Sequence, residues 1–211
     1  MDKNEISEAI KKGTTTVAIV CSDGVVMGAD SRATMDTFIA SSEAIKVYKI
    51  DDTLGMTIAG GVGDAEYLVK FLKVQNEFYK MNESKPLSPS SASSLLSLLL
   101  QENKFAPYYV QLILGGLNKG VPEVYSIDPF GGSIKETRLI STGSGSPTAL
   151  GYLDSVYTAG FTTQDAVKHA AKALQMAMKR DSATGDGMRI IAITKKGFKE
   201  YAKEDIDKIL K

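Results

Sequence analysis

Residues 14–29 read TTTVAIVCSDGVVMGA, and the fold is decided there. The opening run of threonine, valine and isoleucine suits a pleated strand better than a helix, where branching at Cβ restricts χ1. Ser22-Asp23-Gly24 supplies turn chemistry and residues 25–29 resume the strand pattern, so the segment predicts a β-hairpin. Two more strands are expected at residues 45–50 and 54–59, joined across Asp51-Asp52. Four strands in succession do not suit a doubly wound parallel sheet, which needs strict alternation with helices.

Beyond Asp64 the period changes. Leu68, Phe71, Leu72, Phe78 and Tyr79 recur at helical spacing to about Met81. A second helix is expected at residues 89–103, with Ser88 as its N-cap and Pro89 in its first turn. Leu95, Leu96, Leu98, Leu99 and Leu100 make so wide an apolar face that this helix is expected to be largely buried. Strands follow at 108–116, 121–127 and 133–139, then helices at 146–159 and 163–179. A β-branched strand at 187–194, a Lys195-Lys196-Gly197 turn and a charged helix from about Lys203 complete the order. Runs of strands separated by helix pairs predict an α+β domain of two stacked antiparallel sheets, with a helix pair on each outer face. There is no internal repeat or linker-like stretch, so one domain is expected.

Composition narrows the function. The 211 residues, 43% hydrophobic and 24% charged, fit a globular chain with a sizeable core. Lys plus Arg and Asp plus Glu each number 25, so nothing points to nucleic acid or an anionic membrane surface, and proteins or peptides are the expected partners. The single cysteine, Cys21, rules out an intramolecular disulfide and favours a cytoplasmic setting. Residues 1–13 scatter Asp2, Lys3, Glu5, Glu8, Lys11 and Lys12 among apolar positions, unlike a signal peptide, and no stretch reaches transmembrane length. The sequon Asn82-Glu83-Ser84 reads as chance. The lone histidine, His169, lies in a helical run; a zinc site of several His or Cys ligands is not available, and a histidine base is disfavoured. No metal and no cofactor is expected.

The chemistry-bearing clusters are individually weak. Gly13-Thr14 joins a polar leader to the first strand, and small, flexible glycine lets a following hydroxyl approach its carbonyl. Gly28-Ala29-Asp30-Ser31-Arg32 places a carboxylate and a guanidinium at a strand end, Lys46 is flanked by apolar residues, and residues 180–187 form a polar loop before a core strand. Each alone reads as a surface loop or strand face. The glycines at 59–63 and 143–147 lack both a G-x-G-x-x-G spacing and a P-loop Gly-Lys-Ser/Thr, so nucleotide binding is not expected. Amides bared by such glycines can instead stabilise an oxyanion.

Together and in order, from Gly13 to about Thr194, these residues resemble the proteasome β family. The resemblance implies the four-layer αββα sandwich of N-terminal nucleophile hydrolases, with 1–13 a propeptide removed autocatalytically between Gly13 and Thr14, and 14–211 the single hydrolase domain. It implies a threonine endopeptidase in which Thr14 is the nucleophile and its freed α-amine, of pKa about 7.7 to 8.0, the general base. Lys46 would favour the alkoxide, Asp30 would hold Lys46, and the Gly60 amide would meet the oxyanion, while Ser144, Asp181 and Thr184 would fix the amine. Thr184 stands where the family usually has serine. By the same resemblance Ala33, Ala44, Ile58 and Val62 line the specificity pocket; all are apolar, so cleavage after hydrophobic residues is expected. The partners implied are homologous β subunits in a seven-membered ring, proteasome α subunits, a regulatory ATPase acting through the α ring, and unfolded polypeptide, in a cytoplasmic particle of archaeal type. A non-catalytic ring subunit, an HslV-type peptidase and, more distantly, a hydrolase using Cys21 are the alternatives.

Overall fold

The structure, a computed structural model, describes residues 13–35 and 37–210. The leader expected at 1–13 therefore lies, up to residue 12, outside the described residues. In chain order the elements are β1 (Thr15–Val20), β2 (Gly24–Asp30), β3 (Ala33–Met35), β4 (Phe38–Ser41), β5 (Val47–Asp51), β6 (Leu54–Gly60), α1 (Val62–Glu83) and α2 (Pro89–Glu102). There follow β7 (Val110–Asn118), β8 (Val121–Ile127), β9 (Ser133–Glu136), β10 (Leu139–Gly143), α3 (Ser146–Val156), α4 (Thr163–Arg180), β11 (Met188–Thr194), β12 (Gly197–Tyr201) and α5 (Lys203–Leu210).

Two five-stranded antiparallel sheets, β10-β1-β2-β11-β12 and β5-β6-β7-β8-β9, stack face to face. The period-two alternation of side chains explains the layering. In β11, Ile191 and Ile193 point between the sheets, where they meet Val25, Met27, Val47, Ile113 and Val124. Their neighbours Ile190 and Ala192 point outward, into a second core with Val17, Ile19, Leu153, Ala170 and Leu174 beneath α3 and α4. A third core joins Met56, Ile58, Leu112 and Leu114 to Leu68, Leu72, Leu96 and Leu100 of α1 and α2. Both sheets are thus covered on both faces, and β2 is buried along its whole length. At Gly115 a Cβ would sit 2.7 Å from the Met27 sulfur, so the close approach of the sheets requires glycine there. The result is the expected αββα sandwich. Among the described residues no helix is long and apolar enough to cross a membrane.

Several local expectations need correction. The single strand expected at 133–139 is two: β9 pairs with β8 in one sheet and β10 with β1 in the other, the chain crossing between layers at Thr137-Arg138. The β3–β4 hairpin and edge strand β12 were not expected; they are short and largely solvent-facing, so they carry little hydrophobic alternation. Lys46 precedes β5 rather than lying within a strand. Of the five leucines in α2 only Leu96 and Leu100 are fully buried and Leu98 is exposed, because a helix lying on a sheet buries one stripe, here with Ala92 and Ser93, not its whole girth. The helix expected to reach 159 ends at Val156.

Candidate active site

One end of the sandwich gathers the start of β1, the end of β2, the lead into β5, the ends of β6 and β10, and the loop between α4 and β11. Strand register does the gathering: Thr15 lies opposite Gly143, Thr16 opposite Ala29, and Asp30 opposite Met188. Residues from the first and last quarters of the chain thereby become neighbours.

Thr14 is buried, and its Oγ1 donates to the carbonyl of Gly13 at 2.5 Å. Lys46 Nζ donates to the same carbonyl at 3.0 Å. It also donates to Asp30 Oδ1 at 2.9 Å and to the Arg32 carbonyl at 2.5 Å. Burial disfavours the ammonium and lowers the Lys46 pKa; the Asp30 carboxylate opposes that shift by charge and hydrogen bond. Asp30 is itself fully enclosed, and its two oxygens accept from Thr15 N and Lys46 Nζ on one side and from Arg32 N and Gly185 N on the other. A buried carboxylate is tolerated when paired and hydrogen-bonded in this way.

A second cluster hangs on Asp181, the C-cap residue of α4. Its Oδ2 accepts from Ser144 Oγ and Thr184 Oγ1, each at 2.5 Å. With the Ser144 hydroxyl proton directed to the carboxylate, Ser144 Oγ can accept from Thr14 N at 3.4 Å. Thr184 does not reach Thr14: its hydroxyl, already donating to Asp181, accepts from Thr15 Oγ1 at 2.7 Å. Of the three residues expected to fix the Thr14 nitrogen, only Ser144 touches it, and Asp181 acts through Ser144. Outside this cluster Arg32 grips Asp186 with two bonds, at 2.7 and 2.9 Å, and the Ser182 carbonyl at 2.7 Å, fastening the 182–186 loop over Asp30. The guanidinium hydrogen bonds also hold the Asp186 carboxyl below its usual pKa.

Beside Thr14 opens a cavity of about 680 Å³ whose lining includes all four expected pocket residues, Ala33, Ala44, Ile58 and Val62, together with Gly60. Gly60 has φ +135°, and the Tyr109 carbonyl lies against its Cα, so no side chain fits. The sequence reading missed the rest of one wall, where Ala65, Glu66, Val69, Lys70 and Lys73 of α1 continue from Val62. Their three- and four-residue spacing places them on one helix face, which was the available signal. The pocket is therefore apolar near Thr14 and charged along its outer rim.

Thr34 was also missed. Its hydroxyl is buried without a hydrogen-bond partner and lies where a Cβ on Gly13 would have to go. Gly13 has φ +86°, so glycine is required there on two counts. Cys21 is far from Thr14, at the other end of β1, and burial pushes its thiol up to about 12. His169 is remote too, bonded through Nδ1 to Tyr152 Oη at 3.0 Å and stacked on Phe161. Among the described residues no group of three or more His, Cys, Asp or Glu is placed to hold a metal.

The sequence model of one family, described as "Proteasome subunit", matches residues 10–193. A proteasome subunit beta of Archaeoglobus profundus is 47% identical over 206 residues, covering 98% of this chain and 96% of that protein. One from Methanohalophilus mahii is 47% identical over 199 residues, covering 94% and 95% respectively. One from Archaeoglobus fulgidus is 44% identical over 205 residues, covering 97% and 96%.

Proposed function

The chain belongs to the proteasome subunit family, and from that premise we propose that it is a catalytic β subunit: a threonine endopeptidase that exposes its own nucleophile, Thr14, by removing residues 1–13. The observation that carries this reading is the Gly13 carbonyl, which receives both the Thr14 hydroxyl and the Lys46 ammonium. In the first step Thr14 Oγ attacks the Gly13 carbonyl carbon and Lys46 stabilises the oxyanion. Collapse breaks the Gly13–Thr14 C–N bond as the proton given up by Thr14 Oγ passes to the departing nitrogen, leaving Gly13 esterified to Thr14 Oγ and the α-amine free. Water then hydrolyses the ester, releasing the leader with a carboxylate at Gly13.

In the mature chain that amine, of pKa about 7.7 to 8.0, takes the hydroxyl proton as Thr14 attacks a substrate carbonyl. Ser144, held by Asp181, steadies the amine; Lys46, held by Asp30, favours the alkoxide; the Gly60 amide serves the oxyanion; Thr184 braces Thr15 and Asp181. The acyl-enzyme is resolved by water. Ala33, Ala44, Ile58 and Val62 make a pocket suited to a hydrophobic side chain before the cleaved bond.

Assembly with other proteasome subunits, β copies in a seven-membered ring and α subunits beside it, is part of the proposal, as are a regulatory ATPase, unfolded polypeptide as substrate and a cytoplasmic location. Support comes from Met35 and Phe38 on the β3–β4 hairpin and Phe78 and Met81 on α1, large apolar side chains left mostly exposed by the single chain. The decisive experiment is the intact mass of the chain purified after co-expression with its α partner, with Thr14→Ala as control. Loss of residues 1–13 in the wild type alone is expected. A leader retained in the fully assembled particle would overturn the catalytic assignment in favour of a structural ring subunit.

A further inference from the structure

At the opposite end of the sandwich lies a second feature that the chemistry at Thr14 does not use. β11 starts beside Asp30 and runs seven residues to Thr194, so the two ends are about 20 Å apart. There the β5–β6, β7–β8 and β11–β12 turns and the link between α1 and α2 enclose a cleft of about 690 Å³. Lys85, Lys119, Lys195 and Lys196 converge on it from three separate parts of the chain. Among the described residues none of these four ammonium groups has an ion pair. The one carboxylate in the lining, Asp52, is already engaged by Lys49. An adjoining cleft shares Lys195 and Lys196 and adds Lys199, together with one carboxylate, Asp23, which accepts from Thr163 N and Oγ1.

Overall charge balance, 25 basic against 25 acidic residues, means this cluster is local rather than a by-product of a basic chain. Like charges held together without counter-charges repel, and a ligand that neutralises them relieves that repulsion. The turn chemistry adds an independent sign. Lys119 sits at φ +52°, a left-handed position that asparagine or glycine would take more cheaply, so the hairpin holds a lysine where backbone preference argues against one. The floor is not purely polar: Tyr79, Pro86, Leu87 and Leu117 form it, with Thr53, Ser88 and Ser91 as hydroxyl partners. A chain of phosphates gains nothing from such a floor. Separate lysine point charges, unlike an arginine fork, suit carboxylates spread along a flexible strand.

We propose that this cleft docks an acidic peptide segment of a partner protein, one carrying several Asp or Glu residues around at least one apolar side chain that enters between Leu87 and Leu117. The proposal does not depend on Thr14 being catalytic, since the cleft and the Thr14 site share no residue. Its occupant is accordingly a docked partner and not a substrate.

The test uses the full chain and a short fluorescein-labelled peptide of Glu and Asp flanking Leu-Phe, read by fluorescence anisotropy at about 0.05 and 0.2 M ionic strength. The variant Lys119→Asn, Lys195→Gln, Lys196→Gln removes three charges, and its first change favours the turn; a melting temperature at or above that of the wild type shows that it folds. Expected are saturable binding by the wild type that weakens with salt, at least about tenfold weaker binding by the variant, and a several-fold loss when Leu-Phe becomes Ser-Ser. Equal binding by wild type and variant, or no binding at low salt, would overturn the proposal. So would displacement by inorganic polyphosphate as effective as by unlabelled peptide together with indifference to Leu-Phe, which would reduce the cleft to a simple anion site.

Discussion

If residues 1–13 are removed as proposed, replacing Gly13 by alanine should slow that removal while leaving the chain that begins at Thr14 unchanged. Gly13 holds φ +86°, and placing an L-residue in the left-handed region costs about 1 to 2 kcal/mol. The new methyl would also overlap the Thr34 hydroxyl, adding about 1 kcal/mol, near the low end for overpacking because that hydroxyl has no bond to lose. Turning the Gly13–Thr14 peptide relieves that strain but breaks the 2.5 Å and 3.0 Å contacts to Thr14 Oγ1 and Lys46 Nζ, and the chain must regain the strained geometry before attack, so the penalty enters the barrier. A total of about 2 to 3 kcal/mol slows self-cleavage about 30- to 150-fold. The assay is a time course of intact mass for Gly13→Ala beside the wild type, with a chain produced to begin at Thr14 as the reference for unaltered peptidase activity. Adding Thr34→Ala removes the overlap but not the backbone strain, and should restore about fivefold. Processing of Gly13→Ala within about threefold of the wild type would refute the reasoning.

Burial lowers the Lys46 pKa against the pull of Asp30, so leader removal should slow as pH rises through that lowered value, while a free lysine would still be charged; pH–rate profiles of the wild type and Lys46→Arg, which keeps its charge, should differ in this alkaline limb. Thr184→Ser keeps both hydroxyl bonds and should retain activity and stability, whereas Thr184→Val leaves Thr15 and Asp181 short of a partner and should cost about 1 to 3 kcal/mol in a urea melt. With its thiol pushed up to about 12, Cys21 should resist iodoacetamide near neutral pH with no loss of peptidase activity, as peptide mapping and a fluorogenic assay would show. Burial, reinforced by Lys172 and Lys168 and opposed by Asp165, holds His169 below its usual value; the unfolded chain then binds the extra proton as pH falls below about 6.5, stability is lost there, and His169→Gln should shrink the fall in urea midpoint between about pH 7 and 5.

Layering was legible because β-branched runs and helical periods are local properties of the chain. The Gly13-Thr14 junction, Asp30 and Lys46 were legible as residue types in order, and the fold brings them together as expected. What escaped depended on partners distant in sequence. Thr137-Arg138 carries no glycine or proline to mark where the chain changes sheets. Thr34 looks like any strand threonine until Gly13 is placed against it. Thr184 was assigned to the Thr14 nitrogen, but its hydroxyl bonds the Thr15 hydroxyl and Asp181 instead, a pairing set by how the loop after α4 closes on β1. The rim residues Glu66, Lys70 and Lys73 required knowing which face of α1 borders the pocket.

The four bonds to Asp30 also act as an interlock in time. The carboxylate is complete only when Gly185 has closed over it, and Ser144 is oriented only once Asp181 is in place. A polypeptide emerging from its N-terminus presents Gly13 and Thr14 first, yet the clamp that positions Lys46 against their shared carbonyl arrives almost last. If Thr14 is the nucleophile proposed, the blade is made early and the handle late, and any cut it makes must wait for a finished molecule.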